Sequence, residues 1–521
     1  MESKPNYQAI FSDGAGKLPL LGKSLLVGIF AGIAVVAYRF ILEKVEILSA
    51  NVYGVLGEHP IMIPLAFVAL AVLGFFIGKL ITKYKMIQGS GIPQLKGLIM
   101  GYFQYPWQST LLAKFIGGAI SIFAGLSLGR EGPSIQIGAC VAQGVGHKLA
   151  KTGTEQKVLL ASGASAGLAA AFNAPLAGVM FALEEVFHYF STTLLLSTMI
   201  SAIAADFIAT IVFGLTPIFH FDLQNSIPLT GYWLLILLGI ILGFAGAFYN
   251  YTLLLTQRLY RKINWLKAEF RPVIPFLLAG VLGLLFPIVL GGGYRIVDHL
   301  DFSTGLTMLL LILAIKFFFT MISFGSGAPG GIFFPLLIIG ATIGAVFGSV
   351  AIGYLGVDAA LYYNFVILAM AGYFTAIVRA PMTGIILIVE MTGSFSHLLS
   401  LTVVSLTAYV ITDLLKSAPI YTSLLKNLVY HNGEIEEEKD AYKRVAIEMI
   451  VHHGSVSAQK TVREIGFPRH CLLIAVRREG RDLLPKGDTE IHAGDYLLFL
   501  TDQKREGLMR SALKRITGER E

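Results

Sequence analysis

Three glycine-rich segments interrupt apolar parts of the chain, and each combines a flexible turn with a helix-starting proline. They are GSGIP at 89–93, GREGP at 129–133 and GSGAPGGIFFP at 325–335. Irregular backbone at membrane depth survives only where it is buried in protein or lines a polar cavity. A helix that begins at such a turn directs unpaired N–H groups and partial positive charge into that cavity. Together the segments predict an anion site, although glycine and proline are also common in membrane helices generally.

The second segment carries a carboxylate, Glu131, between two glycines. A charge at membrane depth is expensive and usually functional. The carboxylate resembles a permeant anion, so it can occupy the same N–H groups when no anion is bound, and protonation would release it. A residue that binds a proton and vacates an anion site in alternation is the minimum needed to couple opposed fluxes. The alternative is a structural acid paired with the neighbouring Arg130.

Other polar residues lie at the ends of apolar runs. Glu184 and Glu185 end one run and could form either a functional site or a solvated interfacial pair. Lys114 and Arg130 could raise the local potential for an anion, although Lys114 could equally snorkel to the interface. Tyr421 taken alone is typical of an interface aromatic.

Composition shows that these residues are positioned by membrane helices. The 521 residues are 55% hydrophobic and 14% charged, with a mean hydropathy of +0.70. Because soluble domains are about 25% charged, a wholly soluble protein is excluded. The apolar stretches cover 21–42, 61–81, 112–128, 133–149, 157–183, 192–214, 231–254, 273–290, 305–323, 331–355, 362–378 and 397–415. Several are shorter than the about 20 residues of a full span, as in transporters with broken helices.

Two pairs of segments echo each other in the same order. GREGPSIQIGA is echoed by GGIFFPLLIIGA, and FNAPLAGVMFALEE by VRAPMTGIILIVEM. Pro133 and Pro335 are 202 residues apart, and Pro175 and Pro381 are 206 apart. This predicts an all-α polytopic membrane protein with two repeated halves and the substrate between them. The echoes alone do not distinguish parallel from inverted halves; we predict inverted ones.

The charges divide the chain in two. From Gly433 onward there are 16 Lys/Arg and 16 Asp/Glu, so the first 432 residues carry the whole net charge of +7. The high pI is therefore not the signature of a nucleic-acid partner. Loop 258–271 has five Lys/Arg against one acid, which places it and the charged tail in the cytoplasm. Cys140 and Cys471 suggest no disulfide framework, and no removable signal peptide is recognisable.

The tail has a different pattern. RVAIEMI, CLLIAVRR and YLLFLTD predict strands, and TVREIGF and KREGLMRSALKRI predict helices, so we expect a small α+β cytoplasmic domain. His452 and His453 favour a surface strand pair over a metal site. The predicted divisions are a cytoplasmic N-terminus at 1–20, a transmembrane transport domain at 21–430, a linker at 431–443 and a regulatory domain at 444–521.

GSGIP, GREGP, GGIFFP and SAPIY stand in this order, together with NAPLAG and RAPMTG. Over roughly residues 20–430 the chain thereby resembles the CLC family of chloride channels and chloride/proton antiporters. The stretch LPKGDTEIHAGDYLLFL at 484–500 resembles the C-terminal lobe of RCK-type (TrkA-C-like) regulators of potassium uptake. No residue of the tail can be named for a ligand.

The family resemblance implies roles at matching positions. For the central anion it implies two hydroxyls and three backbone N–H groups, from Ser90, Tyr421, Gly331, Ile332 and Phe333. It implies that Glu131 is the external gating carboxylate and Glu185 the internal proton-transfer carboxylate. Supporting positions are Gly89, Gly91, Pro93, Lys114, Gly129, Arg130, Gly132 and Pro133.

The resemblance also implies an activity. CLC channels generally lack an acid at the position of Glu185, so its presence favours chloride/proton exchange over a passive anion channel. The serine of GSGIP goes with chloride preference. We expect a homodimer in the lipid bilayer of the cell membrane, with bound chloride, no cofactor and no enzymatic activity; the GxxxG from Gly239 to Gly243 is too common to locate the interface. A potassium-translocating subunit, suggested only by the tail, would need a TVGYG-like filter, which the sequence lacks.

Overall fold

The structure is a computed structural model that describes residues 14–188, 190–215, 217–219, 221, 226–263, 266–297, 299–431, 444–478, 481–502 and 506–518. Apart from His431, the predicted linker lies outside the described residues, as does most of the predicted N-terminal segment. The chain divides into two compact units, Met1–Asn432 and Gly433–Glu521. The charge change noted in the sequence falls at this division.

Helices build the first unit. They are α1 (Gly14–Glu58), α2 (Ile63–Lys83), α3 (Ile92–Met100), α4 (Trp107–Phe123), α5 (Glu131–Leu149), α6 (Gly153–Phe172), α7 (Pro175–Phe181, continued by a π-helix at Ala182–Phe187), α8 (Thr192–Phe213), α9 (Tyr232–Lys262), α10 (Val273–Leu285), α11 (Tyr294–Val297), α12 (Leu306–Gly325), α13 (Phe333–Leu355), α14 (Tyr362–Val378), α15 (Pro381–Thr392), α16 (Leu398–Leu414) and α17 (Ile420–His431). Among the described residues, eight helical segments are long and apolar enough to cross a membrane. The predicted all-α polytopic architecture is confirmed.

Proline breaks the helices at corresponding places in the two halves. The apolar stretch 157–183 is divided after α6, where Asn173 adopts a left-handed conformation (φ 50°) and Pro175 starts α7. In the second half, Arg379 (φ 69°) and Pro381 separate α14 from α15 in the same way. The residue before a proline avoids helical geometry, and proline fits the first turn of a new helix. Local sequence therefore sets both breaks.

The two halves contact each other reciprocally through carboxylates. Glu184, in the π-helix after α7, accepts N–H bonds from Met382 (3.2 Å) and Thr383 (2.8 Å) in the first turn of α15. Glu390, 206 residues later, accepts N–H bonds of 3.0 and 2.8 Å from the first turn of α7. Reciprocal contacts of this kind are the signature of two-fold symmetry. The repeat seen in the sequence is thus a local pseudo-two-fold in the fold.

We expect Glu184→Ala and Glu390→Ala each to destabilise the protein by about 1–2 kcal/mol, because each change removes the acceptor from one helix N-terminus. The loss at Glu184 should be the larger, since this carboxylate also accepts from the Thr383 hydroxyl. Thermal unfolding of the purified protein in detergent measures both. Glu58→Ala, at the exposed end of α1, is the control. A loss at only one of the two positions would contradict the reciprocal arrangement.

The second unit is an α+β domain. Its strands are β1 (Arg444–Ile450), β2 (Lys460–Thr461), β3 (Cys471–Arg478), β4 (Arg481–Leu483), β5 (Glu490–Ile491) and β6 (Tyr496–Asp502), with helices α18 (Val462–Ile465) and α19 (Glu506–Thr517). An antiparallel sheet has the order β1-β6-β3-β4, and β2 pairs with β5. The three predicted strands and two predicted helices are confirmed; β2, β4 and β5 were not predicted because they are only two or three residues long.

A charged pair anchors one end of this sheet. Arg478 donates to both carboxylate oxygens of Asp495, through Nε at 2.8 Å and Nη2 at 2.7 Å, and the His492 N–H adds a third bond at 2.8 Å. Burial acts to raise the pKa of Asp495, but these donors outweigh it and hold the pKa below its ordinary value.

Because its pKa is lowered on folding, Asp495 contributes stability that is present above about pH 4 and is lost as the pH falls through the lowered value. We expect Asp495→Asn to destabilise the second unit by about 1.5–3 kcal/mol at neutral pH. Hydrogen exchange of β3 and β6 in the full chain measures this. Asp482→Asn is the matched control, since Asp482 and its partner Arg477 are at least half exposed and such pairs contribute about 0–1 kcal/mol. Equal effects of the two variants would refute the assignment.

Candidate functional site

The three glycine-rich segments meet in the fold. Gly129 and Gly331 exchange two backbone hydrogen bonds, each 2.7 Å long, in an isolated antiparallel bridge. The Gly330 N–H donates to the Gly89 carbonyl at 3.0 Å. Since α3, α5 and α13 begin within these segments, three helix N-termini converge. The convergence predicted from the turns is present.

Close backbone contact explains the glycines of the first segment. Gly91 has φ +93°, and a Cβ there would lie 2.3 Å from the side-chain oxygen of Gln136 on α5. Pro93 occupies the first turn of α3, where its missing N–H has no consequence. Gly and Pro therefore allow the start of α3 to pack directly against α5.

Glu131 is fully buried at the first position of α5. Its Oε2 accepts the Phe334 N–H at 3.3 Å, at the start of α13, while Oε1 has no partner among the described residues. The carboxylate thus lies at the N-terminus of a helix from the other half, where partial positive charge favours an anion. Nothing in the sequence identified Phe334 as the donor.

Arg130 does not pair with Glu131. Its guanidinium lies 3.4 Å from Glu43 of α1 and 5.1 Å above the ring of Tyr294. Within the described residues, no ion pair joins it to the adjacent carboxylate. The alternative of a structural acid neutralised by Arg130 is therefore not what the structure shows.

The two predicted hydroxyls are both buried. Ser90 accepts the Ile92 N–H at 3.3 Å, and the hydroxyl of Tyr421, at the start of α17, has no partner among the described residues. Ser90 also lines a cavity of about 210 Å³ bounded by Phe324, Gly327 and Leu424. Segments one and three and helix α17 thus border a common space that suits a small ion better than a large ligand.

Of the three predicted backbone donors, one is already used. The Gly331 N–H donates to Gly129, so in this conformation it is not free for an anion, contrary to the prediction. Ile332 and Phe333 stand at the start of α13, where N–H groups have no intrahelical acceptor. The sequence does not reveal that the Gly331 N–H is already hydrogen-bonded to the other half of the protein.

Lys114 is fully buried and does not snorkel. Its ammonium donates to the carbonyls of Ile87 (2.9 Å) and Gly89 (2.5 Å), and so holds the turn that carries Ser90. Lys316, 202 residues later, binds Val289 and Gly291 in the same way, at 2.9 and 2.7 Å. Applying the repeat spacing to Lys114 would have found Lys316 in the sequence.

Glu185 is buried, so the alternative of a solvated interfacial acid is wrong for this residue. Its Oε1 lies 2.7 Å from the ammonium of Lys96, on α3. Sequence reasoning missed Lys96, although a lysine within the apolar segment IPQLKGLIM was a signal of the same kind as Lys114. Tyr421 lies within electrostatic range of both Glu185 and Glu131.

Known protein families match both units of the chain. The sequence profile of the voltage gated chloride channel family matches residues 73–413, and the TrkA-C domain profile matches residues 446–514. The chain is 35% identical to the H(+)/Cl(-) exchange transporter ClcA of Vibrio cholerae serotype O1 over 416 residues, which is 77% of this chain and 88% of that one. It is 33% identical to the ClcA of Salmonella typhimurium over 441 residues, which is 81% of this chain and 91% of that one.

Solved structures show the same fold. A slow cyanobacterial Cl-/H+ antiporter superposes with a TM-score of 0.76 at 28% identity, covering 80% of this chain and 99% of that one. A CLC-type fluoride/proton antiporter gives a TM-score of 0.65 at 22% identity, and the match covers 81% of this chain and 98% of that one. The protein belongs to the CLC family of voltage gated chloride channels and transporters, and it carries a C-terminal TrkA-C domain.

The close approach of the second glycine-rich segment to the first predicts that adding a methyl group at Gly132 destabilises the protein. A Cβ at Gly132 would lie 2.7 Å from the Ser90 carbonyl oxygen, so we expect Gly132→Ala to destabilise the protein by about 1–3 kcal/mol. Thermal unfolding in detergent measures the loss. Gly353→Ala, in α13 with no atom within 4 Å of the new Cβ, is the control and should be neutral or stabilising. Equal unfolding temperatures for the two variants would disprove close packing at Ser90.

Proposed function

We propose that the protein is a secondary transporter that exchanges chloride for protons across the membrane. One observation carries the proposal: the buried Glu131 carboxylate accepts an N–H at the start of α13, where an anion would bind. The names of the curated ClcA relatives and of the cyanobacterial structure support the same activity.

Chloride would be bound by Ser90, Tyr421 and the N–H groups of Ile332 and Phe333. The buried Tyr421 hydroxyl, which has no partner in the part of the chain that the structure describes, supports this, because a buried donor needs an acceptor. Neutral donors also suit a transported ion, since it must leave again. The serine of the first segment favours chloride over nitrate by family resemblance.

Glu131 would serve both ions. When ionised, the carboxylate competes with the anion for the N-terminus of α13. When protonated, it loses its charge and most of its attraction to those N–H groups, so an anion can replace it. Proton binding and anion entry are thereby linked at one residue, with no requirement for a large domain motion.

Glu185 would pass protons between Glu131 and the cytoplasm. Its burial supports a proton-transfer role over an interfacial one. By family resemblance, CLC channels generally lack an acid at this position, whereas many proton-coupled members keep one. The C-terminal TrkA-C domain would lie in the cytoplasm and regulate transport by binding a ligand. We further propose a homodimer with one pathway per subunit, without cofactor or enzymatic activity.

The two glycines of the GxxxG motif are occupied within the chain. Gly239 and Gly243 of α9 pack against Thr407 and Ile411 of α16 within the same chain. The proposed homodimer interface is therefore not expected to use these two glycines.

Reconstitution into liposomes with an imposed chloride gradient tests the exchange. We expect the parent protein to move protons against their gradient, and we expect Glu131→Gln to retain chloride flux but to reduce proton flux to the level of protein-free vesicles. The reason is that glutamine cannot carry a proton and has no charge with which to compete for the N–H groups. A chloride electrode and an internal pH dye follow the two fluxes separately.

Glu58→Gln, an exposed carboxylate at the end of α1, is the matched control and should leave both fluxes unchanged. Chloride flux without proton movement in the parent would instead establish a passive channel. Undiminished proton flux in Glu131→Gln would remove this residue from the coupling mechanism.

A further inference from the structure

One buried ammonium group contacts both the proposed proton site and the helix that carries Tyr421. Lys96 is 1% exposed, on α3. Its Nζ lies 2.7 Å from Oε1 of Glu185, 3.1 Å from Nε2 of His188 and 3.2 Å from the Thr422 hydroxyl. A lysine ammonium has three N–H donors, so these three contacts satisfy it completely.

A buried ammonium group destabilises the folded protein unless its partners remain in place. A buried charge requires a counter-charge, and removal of one partner leaves the other uncompensated. Glu184, the other acid beside this cluster, is committed to the N-terminus of α15. The Lys96 charge is therefore balanced within the described residues by Glu185 alone.

The partners of Lys96 connect it to the anion site. Lys96 lies on α3, the helix that begins directly after Ser90 and Gly91. Thr422 is the residue after Tyr421, near the start of α17. One ammonium thus joins the inner carboxylate to both helices that follow the proposed chloride hydroxyls.

We propose that Lys96 is a positioning residue that couples the protonation of Glu185 to anion binding at Ser90 and Tyr421. With Glu185 ionised, the ion pair is neutral. When Glu185 takes up a proton, the pair becomes net positive, and this charge, held against the two helices that carry Ser90 and Tyr421 at their starts, favours an anion there. By linkage, a bound anion equally favours proton uptake. Loss of both ions restores the pair.

This inference rests on the proposed chloride/proton exchange. We expect Lys96→Met, which keeps the length of the side chain and removes its charge, to raise the number of chloride ions moved per proton several-fold in liposomes. Chloride flux should remain well above that of protein-free vesicles, because no chloride donor is removed. Chloride flux and internal pH are measured on the same vesicles, so the ratio does not depend on how much protein is active.

Two further variants separate positioning from mere stability. Thr422→Val keeps the Lys96–Glu185 pair but removes its connection to α17, and it should raise the ratio by a smaller factor. Lys426→Met makes the same chemical change at an exposed position one turn further along α17 and should leave the ratio unchanged.

The outcomes discriminate between the two proposals. An unchanged ratio in Lys96→Met, in a parent that exchanges the ions, overturns the role of Lys96 and leaves the exchange intact. No proton movement in the parent overturns both. If Lys96→Met is not recovered in folded form, Thr422→Val decides, because its ion pair is retained and an unchanged ratio would overturn the connection to the anion site.

Discussion

A helix cannot satisfy the N–H groups of its own first turn, and inside a membrane-spanning protein water is not freely available to do so. Here three helix N-termini are held together by backbone bonds among Gly89, Gly129 and the segment 330–331. Their unpaired donors need a negatively charged or polar acceptor. The glycines permit the close approach, the prolines start the helices, and Glu131 supplies an acceptor from within the chain.

The two halves share equivalent turns, but they differ at the residues that form the candidate site. Lys114 and Lys316 hold equivalent turns with the same sequence separations of 27 and 25 residues. At the spacing of 202, however, the position of Glu131 is occupied by Phe333 in the second half. One half therefore supplies the titratable group and the other supplies the donors that bind it, so the site exists only where the halves meet.

Several buried or half-buried charges in the first unit have specific partners. Lys114 binds carbonyls, Glu184 binds a helix N-terminus and Lys96 binds Glu185. Glu131 has one carboxylate oxygen without a partner among the described residues, as Arg130 has at its Nε. Under the proposed exchange, Glu131 must change places with an ion, which a carboxylate held by a full set of bonds could not do.

Local sequence determined the membrane helices, the breaks at Pro175 and Pro381, the duplication and the strands of the second unit, because apolar length, proline geometry and strand alternation act over a few residues. Family motifs identified Glu131 and Tyr421, but not their surroundings. Only the tertiary structure decided that Gly331 is bonded to Gly129, that Phe334 donates to Glu131 and that Lys96 pairs with Glu185. Those contacts join residues 89–203 positions apart, and no local pattern specifies which buried polar groups will meet in the fold.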